Sequence, residues 1–194
     1  MCHFITATAG GIRDDAKLRR LAEECGFNWK PIRNDSLTAI LRPGEEYFST
    51  NRGMICDCGT DIGSLARLAE PVRDNSEEQI RQLQKKGWSK AKIERWLQDK
   101  QNGRARSQER QRQVSANSDW ASQQWSKFIL ASLDEGLATW IGLLLHWYRR
   151  GVEDENLQNL KPAWVSRSDL TPSFLLNVEE DVLYRFAIGP THAP

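Results

Sequence analysis

Residues 118–150 read SDWASQQWSKFILASLDEGLATWIGLLLHWYRR. Trp125, Ile129, Leu133, Leu137, Ile141, Leu144 and Tyr148 recur at steps of three and four, the repeat of one apolar face of an α-helix. The stretch therefore reads as one long helix from about Ser118 to Arg150. Its most apolar part, Gly136 to Tyr148, is 13 residues long and is followed at once by Arg149 and Arg150. A bilayer crossing needs roughly 20 apolar residues, so this is a buried helix and no membrane partner is expected. His146 sits near the border of the stripe and reads as a buried, hydrogen-bonded histidine.

Upstream lies a block of different character. Residues 76–113 carry a net charge of +6, against −1 for residues 1–75 and −4 for residues 114–194, in a chain whose total is +1. That near-neutral total excludes a globally basic nucleic-acid coat and an acidic disordered tail. Ser76-Glu77-Glu78-Gln79 has the form of a capping box and opens a helix that stops at Gly87. Ser89 caps a second helix, with Trp88 placed to pack on Ile93. Residues 101–117 have almost no apolar content and read as a solvated helix end or a linker.

Residues 2–8, CHFITAT, are β-branched and aromatic and read as a strand. Alternation puts Cys2, Phe4, Thr6 and Thr8 on one face and His3, Ile5 and Ala7 on the other. Asp14 and Gly26 bracket a helix whose Leu18, Leu21, Ala22 and Cys25 form one apolar face; Cys25 is a core residue. Strands follow near Asn28–Arg33 and Glu46–Thr50, and a short helix over 64–70. A segment at Leu37–Leu41 runs into a Pro43-Gly44 turn. Near the other end, Phe174–Val178 and Val182–Ile188 read as a hairpin around the solvated turn Glu179-Glu180-Asp181, and the terminal strands are expected to pair with each other.

The order of elements implies an α+β fold: a mainly antiparallel sheet with helices packed on one face, and a helical subdomain over about 76–150 that includes the long helix. Residues 1–75 supply the N-terminal β/α part of the core. Residues 76–113 form the basic helical pair and linker, and 114–194 the long helix and the C-terminal strands that complete the core. The N-terminus lacks the charged and apolar regions of a secretory signal, so a cytoplasmic setting with reduced thiols is expected.

Three functional readings follow. Cys2 heads a strand, and Cys56 and Cys58 form a C-x-C in the glycine-flanked turn CDCGT. Thiolates are good soft ligands for zinc, so Cys2, Cys56 and Cys58, with His3 as a nitrogen donor, are the candidate metal ligands. A water, the α-amine, Asp57 or His146 are alternatives for the fourth place, because Cys2 and His3 point to opposite faces of a regular strand. The second reading takes the 81–112 block as a surface for nucleic acid or an acidic protein, with Lys90, Lys92, Arg95, Lys100, Arg104 and Arg106 as the contacts. Its alternative is a solvated amphipathic pair whose charges face water.

The third reading concerns Cys2 as a nucleophile. Removal of Met1 would leave a cysteine carrying both a thiol and an α-amine, the arrangement of an N-terminal-nucleophile amidohydrolase. The opening Met1-Cys2 ahead of a strand resembles the start of class II glutamine amidotransferases. The resemblance covers those few residues and implies Cys2 as the catalytic nucleophile. Asn51-Arg52-Gly53 is a faint echo of the remaining pattern; counterparts of that family's substrate-binding arginine and oxyanion-hole segments are missing. No Walker motif, dinucleotide fingerprint, serine-hydrolase elbow or zinc-protease helix is present.

Overall fold

The computed structural model describes residues 2–51, 56–63, 76–100, 102, 119–157 and 159–189. The 118–150 stretch divides in two: Asp119–Asp134 is a helix and Trp140–Tyr148 is a strand. The helix stops at Gly136, which takes φ +65. Gly136 N–H donates to the Leu133 carbonyl (3.0 Å) and Leu137 N–H to the Ser132 carbonyl (2.9 Å), the two bonds of a Schellman stop. The same pair of bonds ends the Asp15–Glu24 helix at Gly26 and the Ser76–Lys85 helix at Gly87. The single long helix is thus corrected to helix, turn and strand, and His146 lies on the strand. The helical spacing ran on through it because a strand buried on both faces is apolar at nearly every position, so any step lands on an apolar residue.

Among the described residues six strands form one sheet: β1 (Cys2–Gly10), β2 (Lys30–Pro31), β3 (Glu45–Ser49), β4 (Trp140–Tyr148), β5 (Lys161–Ser166) and β6 (Val182–Ala187). Their order is β2-β3-β1-β4-β6-β5. Every pairing is antiparallel except β5 with β6. The α+β class with a mainly antiparallel sheet therefore holds. The two terminal strands do not pair: β4 lies between β1 and β6. The hairpin expected near the C-terminal end is also replaced. Pro172–Leu175 is a helical turn, with Phe174 N–H donating to Thr171 Oγ1 (3.0 Å) and proline opening the turn, where its missing N–H costs nothing.

The sheet separates two apolar layers. On one face Ile5, Ala7, Leu143, Leu145 and Phe186 pack with Leu18, Ala22 and Cys25 and with Trp125, Phe128 and Ile129 of the Asp119–Asp134 helix. Cys25 is fully buried there. On the other face Tyr47, Leu144, Tyr148 and Leu183 pack with Leu37, Leu157 and Leu160. Fully burying a leucine, isoleucine or phenylalanine in these layers contributes about 1.5–3 kcal/mol. The expected helix over 64–70, most of the 101–117 stretch and the PTHAP tail lie outside the described residues. Among the described residues no helix is long and apolar enough to cross a membrane.

Candidate metal centre

β3 pairs with β1 from Thr6 to Gly10, whereas β4 runs beside all of β1. The β3-side edge of residues 2–5 is therefore open to another partner, and the Asp57–Gly59 3-10 turn takes it. His3 N–H donates to Cys58 Sγ (3.2 Å) and Ile5 N–H to Asp57 Oδ2 (2.7 Å). These two amides would otherwise be strand-edge donors without a ladder.

The turn is held from both ends. Asn51 Nδ2 donates to Asp57 Oδ2 (2.7 Å). Thr60 gives both its N–H and its hydroxyl to the Asp57 carbonyl, each at 2.9 Å. Gly63 N–H donates to Thr60 Oγ1 (3.1 Å). A side chain at Gly63 would place Cβ 2.1 Å from the Asp57 carbonyl oxygen, so this position needs glycine for close approach. Buried Asp61 accepts the Ser122 N–H with both carboxylate oxygens, at 3.2 and 3.1 Å. Ser122 is in the first turn of the Asp119–Asp134 helix, where backbone N–H groups lack helical partners and negative charge is favoured. The CDCGTD run thus links β1 to the start of that helix.

This packing brings Cys2, Cys56 and Cys58 together: their three sulfurs lie within 4.8 Å of one another. All three are half-buried, and none is in a disulfide. Tetrahedral zinc with Zn–S bonds of about 2.3 Å would set its sulfurs roughly 3.8 Å apart, so small side-chain movements suffice for one ion. Burial pushes the Cys56 thiol up. Hydrogen bonds from the Cys58 amide, the Cys2 and Cys58 thiols and its own amide outweigh that, and Cys56 ionises below its ordinary range. Burial also pushes the Asp57 carboxyl up, to about 6, against the Ile5 and Asn51 hydrogen bonds that pull it back.

His3 stands apart from the three thiols. Its ring meets Trp147 edge-on with centroids 4.6 Å apart, and Nε2 lies 3.5 Å from Glu180 Oε2. Its backbone N–H, not its ring, reaches the cluster. His146 Nδ1 contacts Asp181 Oδ1, and Asp57 is engaged by Ile5 and Asn51. Of the five candidates for a fourth ligand, His3, His146 and Asp57 are thus turned to other partners; a water remains open, and the α-amine belongs to Met1, outside the described residues.

The basic block is a separate surface. Residues 90–100 are helical, with Lys90, Lys92 and Arg95 exposed and Lys100 half-exposed. Lys92 Nζ sits 4.1 Å from the Trp88 ring centre and Lys100 Nζ 5.0 Å from that of Trp96, so two of the cations rest on indole faces. Arg104 and Arg106 lie outside the described residues, as do Met1, Arg52 and Gly53.

Asp61 was not among the residues that sequence reading nominated; Asn51 entered only through the Asn51-Arg52-Gly53 echo, and Asp57 only as an alternative metal ligand, not as the acceptor that ties the turn to β1. The signal available was local: an acid between two cysteines, and an acid two residues before Gly63. Comparison of the chain with protein-family models, with curated proteins and with solved structures gave no match.

Proposed function

We propose that the chain is a zinc-binding protein whose ion is held by the thiolates of Cys2, Cys56 and Cys58. The observation that carries this reading is the meeting of three sulfurs, none in a disulfide, within 4.8 Å of one another, with Cys2 brought from far upstream of the Cys56-Asp57-Cys58 turn. Three thiolates suit a soft or borderline ion such as Zn²⁺. The lowered Cys56 thiol favours the deprotonated form that a metal requires. Three protein ligands leave one coordination position for a water, a substrate atom or the α-amine, and zinc with an open position polarises what binds there. The ion would also fasten the CDCG turn to the edge of β1.

Native mass spectrometry of untagged protein, purified under reducing conditions, tests this. Bound zinc, lost on acidification and reduced by one equivalent in Cys56→Ser and Cys58→Ser proteins that remain folded, is the expected result. A metal-free chain that also fails to take up added zinc overturns the reading. The same spectrum reports whether Met1 is retained. Loss of Met1 without metal would transfer the assignment to Cys2 as an N-terminal nucleophile.

A further inference from the structure

A second cluster of donors lies on the β4 side of β1. One ligating atom each from His146, Glu180 and Asp181 falls within 4.8 Å of the others. His146 projects from β4, whereas Glu180 and Asp181 precede β6. They meet because the Asp181 N–H donates to the Leu145 carbonyl (3.0 Å), which pins the acidic turn over the end of the β4–β6 ladder. An exposed acidic turn by itself is ordinary. Here it closes over two imidazoles, and one of them is buried with no hydrogen bond to either ring nitrogen.

That imidazole is His3. Its side chain is 4% exposed, and neither ring nitrogen makes a hydrogen bond. Nε2 is aimed at Glu180 Oε2, 3.5 Å away. His146 Nε2 is likewise buried without a hydrogen bond. Buried polar atoms left unsatisfied are rare and costly, and an ion is one of the usual reasons for them. The donor set of imidazole and carboxylate differs from that of the thiol cluster. It suits divalent first-row cations that accept nitrogen and oxygen ligands.

We infer that His146, Glu180 and Asp181 form a second cation site, for a divalent transition metal, in which His3 holds and orients the Glu180 carboxylate. His3 is a positioning residue: a ligating carboxylate is characteristically fixed by a further hydrogen bond, and losing such a partner typically weakens metal binding 10–100-fold. The site shares no ligand with the thiolate centre. Consecutive residues of β1 serve the two: the Cys2 side chain faces the thiols, and His3 faces the acidic turn.

Co²⁺ titration of the full chain with its thiols kept reduced provides the test, because the two ligand sets give different spectra. Thiolate ligands produce intense near-ultraviolet charge transfer, whereas imidazole and carboxylate ligands give d–d absorption alone. The expected result is two equivalents of Co²⁺ per chain, one with charge transfer and one without. Glu180→Gln and Asp181→Asn should weaken the second equivalent at least about tenfold and leave the charge-transfer bands unchanged; Cys56→Ser should do the reverse. Both acidic side chains are solvent-accessible, 35% and 51% exposed, so these variants should keep the fold, as far-ultraviolet circular dichroism would verify. Asparagine also tolerates the left-handed backbone at position 181, where φ is +64. A titration that ends after the charge-transfer equivalent overturns the inference, as does a second equivalent indifferent to both acidic variants. A titration without charge transfer but with the second equivalent overturns the thiolate reading and leaves this site standing.

Discussion

Arg185 on β6 reaches Glu45 on β3 across the two strands that lie between them. Its Nε is 2.9 Å from Oε1 and its Nη2 2.8 Å from Oε2, and the pair is buried, with side chains 3% and 0% exposed. The way across is open because Arg185 is paired with Gly142, which in turn is paired with Thr8. A Cβ on Gly142 would lie 2.0 Å from Thr8 Oγ1. Thr8 Oγ1 donates to Glu45 (2.6 Å), as does Arg42 N–H (2.9 Å), and Arg185 Nη2 also donates to the Ile40 carbonyl (3.1 Å).

Breaking one side of a buried, fully bonded pair leaves an uncompensated charge, which typically costs about 3–5 kcal/mol. Arg185→Met and Glu45→Leu should each destabilise the protein by that order. The double replacement should cost less than the two single effects combined, since it leaves no charge behind. Urea unfolding of the four proteins measures this coupling directly.

The same pair sets a pH dependence. Burial pushes the Glu45 carboxyl up, but hydrogen bonds from Arg185, the Arg42 amide and Thr8, with the arginine charge, hold it below the ordinary 4.5. The unfolded chain therefore binds the proton more readily than the folded one. The stability this residue contributes is complete above the unfolded value and is lost as pH falls through the folded one. The stability gap between wild type and Glu45→Gln should be widest near neutrality and narrow below about pH 4.5, as read from denaturation curves taken across that range.

Gly63→Ala should disturb the proposed metal centre without touching a thiol. The added methyl must displace the Asp57 carbonyl, and with it the turn that carries Cys58. Zinc affinity, read by competition with a chelator, should fall at least about tenfold, in the range seen when groups behind a metal's ligands are altered. Gly59→Ala is the control: nothing lies within 4 Å of its would-be side chain, and affinity there should be unchanged.

Asp61→Ala removes the carboxylate that receives Ser122 N–H. Loss of a helix-capping acceptor costs about 0.5–2 kcal/mol. Amide exchange should accelerate most in the first turn of the Asp119–Asp134 helix. Asp61→Asn, which keeps an acceptor oxygen, should restore much of the protection.

The fold class was legible because strands and caps announce themselves locally. CHFITAT alternates as it should for β1, and the Gly26 and Gly87 stops are plain in sequence. Gly136 carries the same stop signal, but the apolar run after it carried the periodic pattern past the helix end. Thr171-Pro172 is likewise a helix opening written in sequence, although the apolar residues after it suggest a strand. Among site residues, the three thiols could be nominated from chemistry alone. The supporting roles of Asn51, Asp57 and Asp61 could not, although Asp57 itself was nominated as a candidate ligand. Their roles depend on β3 stopping short of the start of β1, and that is a property of strand register, which no local pattern encodes. The acidic turn at 179–181 was misleading for the same reason: its histidine partners come from other strands.

The pairing of β1 with β4 has a consequence for biosynthesis. The ends of that ladder join Cys2 to Tyr148 and Gly10 to Trp140, positions 146 and 130 apart in the chain. At a translation rate of roughly 5–20 residues per second, β1 waits about 7–30 s for the strand that covers its second edge. Such distant pairing also slows folding once the chain is free. Cys58 follows Cys2 by 56 positions, so the thiols are available to a metal ion long before the sheet can close. On the proposed reading, zinc taken up during synthesis would anchor the start of β1 while its far edge is still bare.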